Sequence, residues 1–172
     1  MDLYLLRHGE AGEAPRDEDR ELTPRGHEQA RAVAAGIAWL GLEFDAILTS
    51  PLPRARQTAE PVATALKTRL DEAPPLASGR TPAMALALLI GCGERVLLVG
   101  HEPQLSGIVR TVTGGRVHMR KAMLARVETR SLKPPDGELA WLLSWRHLQR
   151  LAVCRREAGS PSRAWWYSRK HE

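Results

Sequence analysis

Two histidines and two arginines, far apart in the chain, are residue types suited to chemistry at phosphorus. His8 stands in Leu6-Arg7-His8-Gly9-Glu10, Arg54 in a run that begins Ser50-Pro51, and His101 in Gly100-His101-Glu102-Pro103. A phosphoryl group in transfer carries negative charge on its equatorial oxygens, so catalysis is mostly positioning and electrostatic stabilisation. Arginine fits that task because its planar fork grips two phosphate oxygens and keeps its charge. A neutral imidazole can attack phosphorus without a second base, and nearby arginines disfavour its imidazolium form. Arg7, His8, Arg54 and His101 therefore read as a histidine nucleophile in a cationic cradle. Gly9 adds a position where the backbone can be approached closely.

These residues can act together only if the elements before them end at one place. Residues 3–6 form a short apolar run that stops at Arg7, which predicts a buried strand feeding a loop. Phe44-Asp45-Ala46-Ile47-Leu48 predicts a second strand, ending before Ser50, and Arg95-Val96-Leu97-Leu98-Val99 a third, ending before His101. A polar loop over 12–21 precedes Thr23-Pro24, a capped helix start, and the helix runs to about residue 40. Its apolar face is Ala30, Val33, Ala34, Ile37 and Leu40. Further helices are predicted over 53–66, from Thr81-Pro82 to near Gly91, and from Pro103 to about Val112. Residues 68–80 read as an irregular connection. Strands over 122–128 and 140–143, with a turn at Pro134-Pro135-Asp136-Gly137, and a short helix over 145–153 complete the pattern. Such alternation predicts a three-layer α/β/α sandwich around a mainly parallel sheet. Ligands bind at the carboxyl ends of the strands in such sheets, which is where Arg7, His8, Arg54 and His101 all fall.

The 172 residues fit one domain over residues 1–153 with a basic extension over 154–172. Residues 1–145 carry 18 Lys+Arg and 18 Asp+Glu, whereas 146–172 carry seven and two, so the whole excess of +5 sits in the C-terminal segment. A nucleic-acid-binding domain is thus not indicated in the body of the chain. The apolar start is only four residues long before Arg7, too short for a signal-peptide core. No apolar run approaches the roughly 20 residues of a membrane helix. Cys92 and Cys154 are far apart and outside any C-x-x-C pair, so neither a zinc site nor a disulfide framework is expected. These features predict a cytoplasmic protein that needs no metal or cofactor.

Four motifs in order resemble the histidine phosphatase superfamily, also called phosphoglycerate mutase-like. They are Arg7-His8-Gly9, Leu22-Thr23-Pro24-Arg25-Gly26, the run from Ser50-Pro51 through Arg54-Ala55 to Thr58, and Gly100-His101. The resemblance covers residues 1–150. The short length and Arg20-Glu21-Leu22-Thr23 look most like the SixA-type phosphohistidine phosphatases. The resemblance implies that His8 is phosphorylated in an intermediate and that Arg7, Arg54 and His101 clamp the phosphoryl oxygens. Arg20 stands where SixA-like proteins place another phosphate-contacting arginine. Larger members of the superfamily carry an acidic proton donor in mid-chain. The matching stretch here, Pro74-Pro75-Leu76-Ala77-Ser78-Gly79-Arg80, has no carboxylate. An alkoxide leaving group needs such a donor more than an imidazole does. Its absence favours phosphohistidine over a sugar phosphate, and Glu102 is a candidate substitute donor.

The expected partner is a phosphorylated protein or a small phosphorylated metabolite. The leading expectation is removal of phosphate from phosphohistidine on a protein. The alternatives are a small-molecule phosphomonoester or anhydride phosphatase using the same site, and a non-catalytic module that binds phospho-groups. His27, His118, His147 and His171 have no matching partners, and Arg56 is expected to point away from Arg54. Trp165-Trp166-Tyr167 in the extension reads as a docking motif, an aromatic flap or part of a disordered tail.

Overall fold

The computed structural model describes residues 1–157. The extension beyond them, with its aromatic cluster and His171, lies outside the described residues. Six strands make one sheet: β1 (Asp2–Arg7), β2 (Ala46–Thr49), β3 (Leu70–Glu72), β4 (Arg95–Gly100), β5 (Met123–Leu132) and β6 (Pro135–Ser144). Their order is β3-β2-β4-β1-β5-β6. β1, β2, β3 and β4 pair in parallel, while β5 and β6 add antiparallel to the β1 edge. Among the described residues five α-helices surround the sheet: α1 (Pro24–Trp39), α2 (Pro53–Leu66), α3 (Pro82–Ala87), α4 (Gln104–Thr113) and α5 (Trp145–Glu157). No helix among the described residues is long and apolar enough to cross a membrane.

The three layers follow from strand alternation. Leu3 and Leu5 of β1 and Val96 and Leu98 of β4 point to one face, where they pack with Ala85 and Leu86 of α3 and Leu105, Ile108 and Val109 of α4. Tyr4, Leu6, Leu97 and Val99 point to the other, against Val33 and Ile37 of α1, Ala59 and Val62 of α2, and Leu148 of α5. Strands covered on both faces must be apolar along their buried length, and β1 over residues 3–6 and β4 over residues 96–99 are. Ala30, Val33, Ala34 and Ile37 are buried as predicted, and Leu40 is half-buried.

The structure departs from the predicted elements at the sheet edges. β3 lies inside the stretch expected to be irregular. It is three residues long, carries Asp71 and Glu72, and pairs on one side only, so hydrophobic periodicity could not reveal it. The last hairpin turns at Lys133-Pro134, and Pro135 to Gly137 join β6. β6 is an edge strand, where proline costs no interior ladder bond. α3 ends at Ala87 rather than near Gly91, with tighter turns at Leu88 and Leu89. α5 runs past residue 153 into the first residues assigned to the extension.

Two motif glycines explain how α1 seats the His8 loop. A Cβ on Gly9 would lie 2.9 Å from the Gly26 carbonyl oxygen, and a Cβ on Gly26 would collide with the carbonyl oxygen of Glu10. The close approach at Gly9 is therefore made by the backbone of α1. Thr23 caps that helix by accepting from the Gly26 amide at 3.0 Å. Gly26→Ala is expected to destabilise by about 1–3 kcal/mol, as overpacking does. Thermal unfolding should show a lower Tm, with activity falling because the His8 loop must shift.

Candidate active site

Register brings the predicted residues level. Arg7 of β1 pairs with Gly100 of β4, and Thr49 of β2 pairs with Val99. β4 lies between β1 and β2, so His8, His101 and Ser50 leave three adjacent strands side by side. The His8 amide donates to the Gly100 carbonyl at 3.1 Å, and the Ser50 amide to the Val99 carbonyl at 2.9 Å. Arg54 follows in the first turn of α2. Arg7, His8, Arg54 and His101 line a cleft of about 290 Å³ with Asp17, Arg20, Ser78, Glu102 and Lys121. All six residues singled out from the sequence thus meet in one place. His27, His118 and His147 do not line it, and Arg56 pairs with Glu72 at 3.1 Å outside it.

His8, Arg54 and His101 are 6%, 3% and 3% exposed, so their polar atoms work in a dry environment. His8 Nδ1 lies 2.7 Å from the Gly9 carbonyl oxygen. A carbonyl only accepts, so Nδ1 carries the proton and Nε2 keeps its lone pair. The His8 and His101 ring centroids are 5.0 Å apart. His101 Nε2 shares a 2.8 Å hydrogen bond with Ser50 Oγ, which also accepts from the Leu52 amide. Thr58 joins α2 to the His8 loop: its hydroxyl donates to the Arg54 carbonyl at 2.7 Å and accepts from the Gly9 amide at 3.0 Å. This accounts for the threonine four residues after Arg54.

The arginines are tied from several sides. Arg7 Nη1 donates to the Met119 carbonyl at 2.8 Å. Arg20 Nε donates to Gly12 O at 2.7 Å and its Nη1 to Asp17 Oδ1 at 3.1 Å. Arg54 donates to both the carbonyl and the carboxylate of Asp17. Arg7 Nε, Arg54 Nε and His101 Nδ1 are buried without a partner among the described residues. Gln104 Oε1, Arg126 Nε and Thr129 Oγ1 are likewise unpartnered away from the cleft, so what sets the first three apart is that they gather in it. Glu102 accepts from Ser106 Oγ at 2.7 Å.

The electrostatics favour neutral imidazoles. Burial, then His101 and the charges of Arg54 and Arg7, push His8 down to about 3 against the opposing Gly9 hydrogen bond. Burial and Arg54 push His101 down to about 4, with Asp17 opposing. The unfolded chain therefore binds more protons than the folded one below the ordinary histidine range. Stability falls as pH drops from about 6.5 through these lowered values, by about 1.4 kcal/mol per pH unit for each histidine. His8→Ala is expected to flatten the slope of unfolding free energy between about pH 6 and 4.5 by that amount. Urea titrations at several pH values measure it.

Sequence reasoning assigned no role to Asp17, Ser78 or Lys121. Asp17 and Ser78 sit in stretches that look like solvated loops. Lys121 reaches the cleft because Ala122, just before β5, donates its amide to the Arg7 and His8 carbonyls. Burial, then Arg20 and Arg7, lower the pKa of Lys121.

Residues 3–78 match the family described as the histidine phosphatase superfamily (branch 1). Phosphohistidine phosphatase SixA of Escherichia coli is 30% identical over 151 residues, covering 84% of this chain and 94% of that protein. An uncharacterized protein of Picosynechococcus is 37% identical over 137 residues, covering 71% and 81%. The solved structure of the protein histidine phosphatase SixA complexed with tungstate superposes with a TM-score of 0.76 at 26% identity. It covers 86% of this chain and 99% of that one. Its fold, its motifs and this likeness over nearly the whole length of SixA agree: the chain belongs to the histidine phosphatase superfamily and is a phosphatase.

Proposed function

We propose that the enzyme removes phosphate from phosphohistidine on a protein, with His8 as the nucleophile. The observation that carries this reading is His8 itself, neutral, buried, with Nε2 free, and set among Arg7, Arg54 and His101. Nε2 attacks phosphorus while the P–N bond to the substrate imidazole breaks. Arg7, Arg54, Arg20 and His101 take the charge on the phosphoryl oxygens. The Nδ1–H of His8 stays on the Gly9 carbonyl, a bond that strengthens as the ring becomes cationic. Water then attacks the phosphorus of phospho-His8, releasing phosphate and restoring neutral His8.

The carboxylates near the cleft bear on the leaving group. Ser78, not an acid, lines the cleft from the 74–80 connection. Asp17 is engaged by Arg20 and Arg54: the Arg20 hydrogen bond first, then Arg54, hold its carboxyl below the usual range against the opposing effect of burial, so it is a poor acid. That leaves Glu102 as the candidate donor. A substrate imidazole can be protonated before it leaves, whereas an alkoxide needs a strong donor in place. Measured specificity constants test the reading. A phosphohistidine-bearing protein should give a higher kcat/KM than a panel of sugar phosphates and other phosphomonoesters. A strong preference for one sugar phosphate would sink it.

A further inference from the structure

We propose that Asp17 is a positioning residue: it holds the Arg54 and Arg20 guanidinium groups at the cleft in the free enzyme, and the phosphoryl group displaces it. The inference rests on the phosphoryl-binding reading of the cleft given above. Both terminal nitrogens of Arg54 are spent on residue 17, Nη1 on its carbonyl oxygen at 2.5 Å and Nη2 on Oδ2 at 2.8 Å. Its other carboxylate oxygen, Oδ1, receives Arg20 Nη1 at 3.1 Å. One carboxylate thus bridges two guanidinium groups, the arrangement that two phosphoryl oxygens would take.

The two sides of this bridge differ in freedom. The Arg54 side chain is 3% exposed and fixed on α2, whereas that of Asp17 is 57% exposed. Asp17 opens a short 3-10 turn, Asp17–Asp19, that buries none of its residues. Apart from the Arg54 bond to the Asp17 carbonyl, which does not involve the carboxylate, the loop carrying this turn is held at its ends, by the Ala11–Leu22 bridge and the Gly12 amide on the Glu21 carbonyl. Arg20 is held there too, through the carbonyls of Gly12 and Ala11. The carboxylate can therefore turn into water while both arginines stay in place.

Asp17 also offsets charge. Among the described residues Arg7, Arg20, Arg54 and Lys121 share the cleft with two carboxylates, and the second, Glu102, accepts from Ser106. A tethered anion that must leave weakens substrate and product by the same factor, which is uniform binding. Its effect is therefore to keep inorganic phosphate from holding the enzyme after turnover.

The sign of one substitution decides the matter. Calorimetric titration with inorganic phosphate would compare the wild type, Asp17→Asn and Arg54→Ala, and steady-state kinetics with the phosphoramidate ion would follow the first two. Asp17→Asn should bind phosphate about tenfold tighter, equivalent to about 1.4 kcal/mol. Its KM should fall by a similar factor without a rise in kcat. A residue that merely shapes the loop would move both constants the other way. Unchanged or weaker phosphate binding in Asp17→Asn, with Arg54→Ala still losing phosphate, overturns the role of Asp17 alone. If Arg54→Ala binds phosphate like the wild type, the phosphoryl reading of the cleft fails and takes this inference with it.

Discussion

His8→Ala should lose turnover by more than about 10⁴-fold, because the covalent step loses its nucleophile and the other imidazole of the cleft has its Nε2 engaged by Ser50 Oγ. The fold should survive. His8 belongs to neither hydrophobic cluster, and its side-chain bond is to its neighbour's carbonyl. Burying an imidazole that must stay neutral confers no large stability, so Tm at neutral pH should change little. The variant also keeps Arg7, Arg54 and Arg20, so inorganic phosphate should bind within about tenfold of the wild type. Retained phosphate binding with lost turnover separates a missing nucleophile from a collapsed site. Circular dichroism, phosphate titration and steady-state kinetics on one preparation check all three parts.

The second large effect is expected at Arg54. Arg54→Ala should lower kcat by about 10²–10³, the cost of removing one preorganised donor from a transition-state charge. Lysine should rescue little, because a single ammonium cannot reproduce two parallel N–H bonds. The fold should again persist: the freed carboxylate of Asp17 is exposed and can hydrate, and Thr58 bonds to the Arg54 backbone rather than to its side chain. A rise confined to KM, with kcat intact, would mean that Arg54 binds the ground state and the transition state alike.

Most of the site was legible because its chemistry sits at strand ends. Arg7-His8, Ser50 with Arg54, and His101 follow three apolar runs, and parallel sheets gather such ends at one edge. Arg20 was legible only through family resemblance, since a charged residue in a polar loop has no other signature. Asp17 was not legible at all. Its partner Arg54 is 37 positions away, and the four neighbouring acids and bases, Arg16, Glu18, Asp19 and Arg20, look like solvated charge. The same limit applies to Lys121, whose place depends on where β5 joins β1. In the fold, the buried strands were found from composition, while β3 and the hairpin turn were not. An edge strand of three residues buries too little for its pattern to stand out. Gly9 shows a subtler gap: the sequence marks a close approach there, but only the structure identifies α1 as what approaches.

The central claim is that phosphate passes through His8. Single-turnover reaction with a labelled phosphoryl donor, quenched in alkaline denaturant to preserve the P–N bond, followed by peptide mass spectrometry, tests it most directly. The account predicts phosphate on the peptide containing His8 during the first turnover, lost again on a chase with unlabelled donor. Turnover with phosphate on another residue, or with none on His8 at any time in the course, would contradict it.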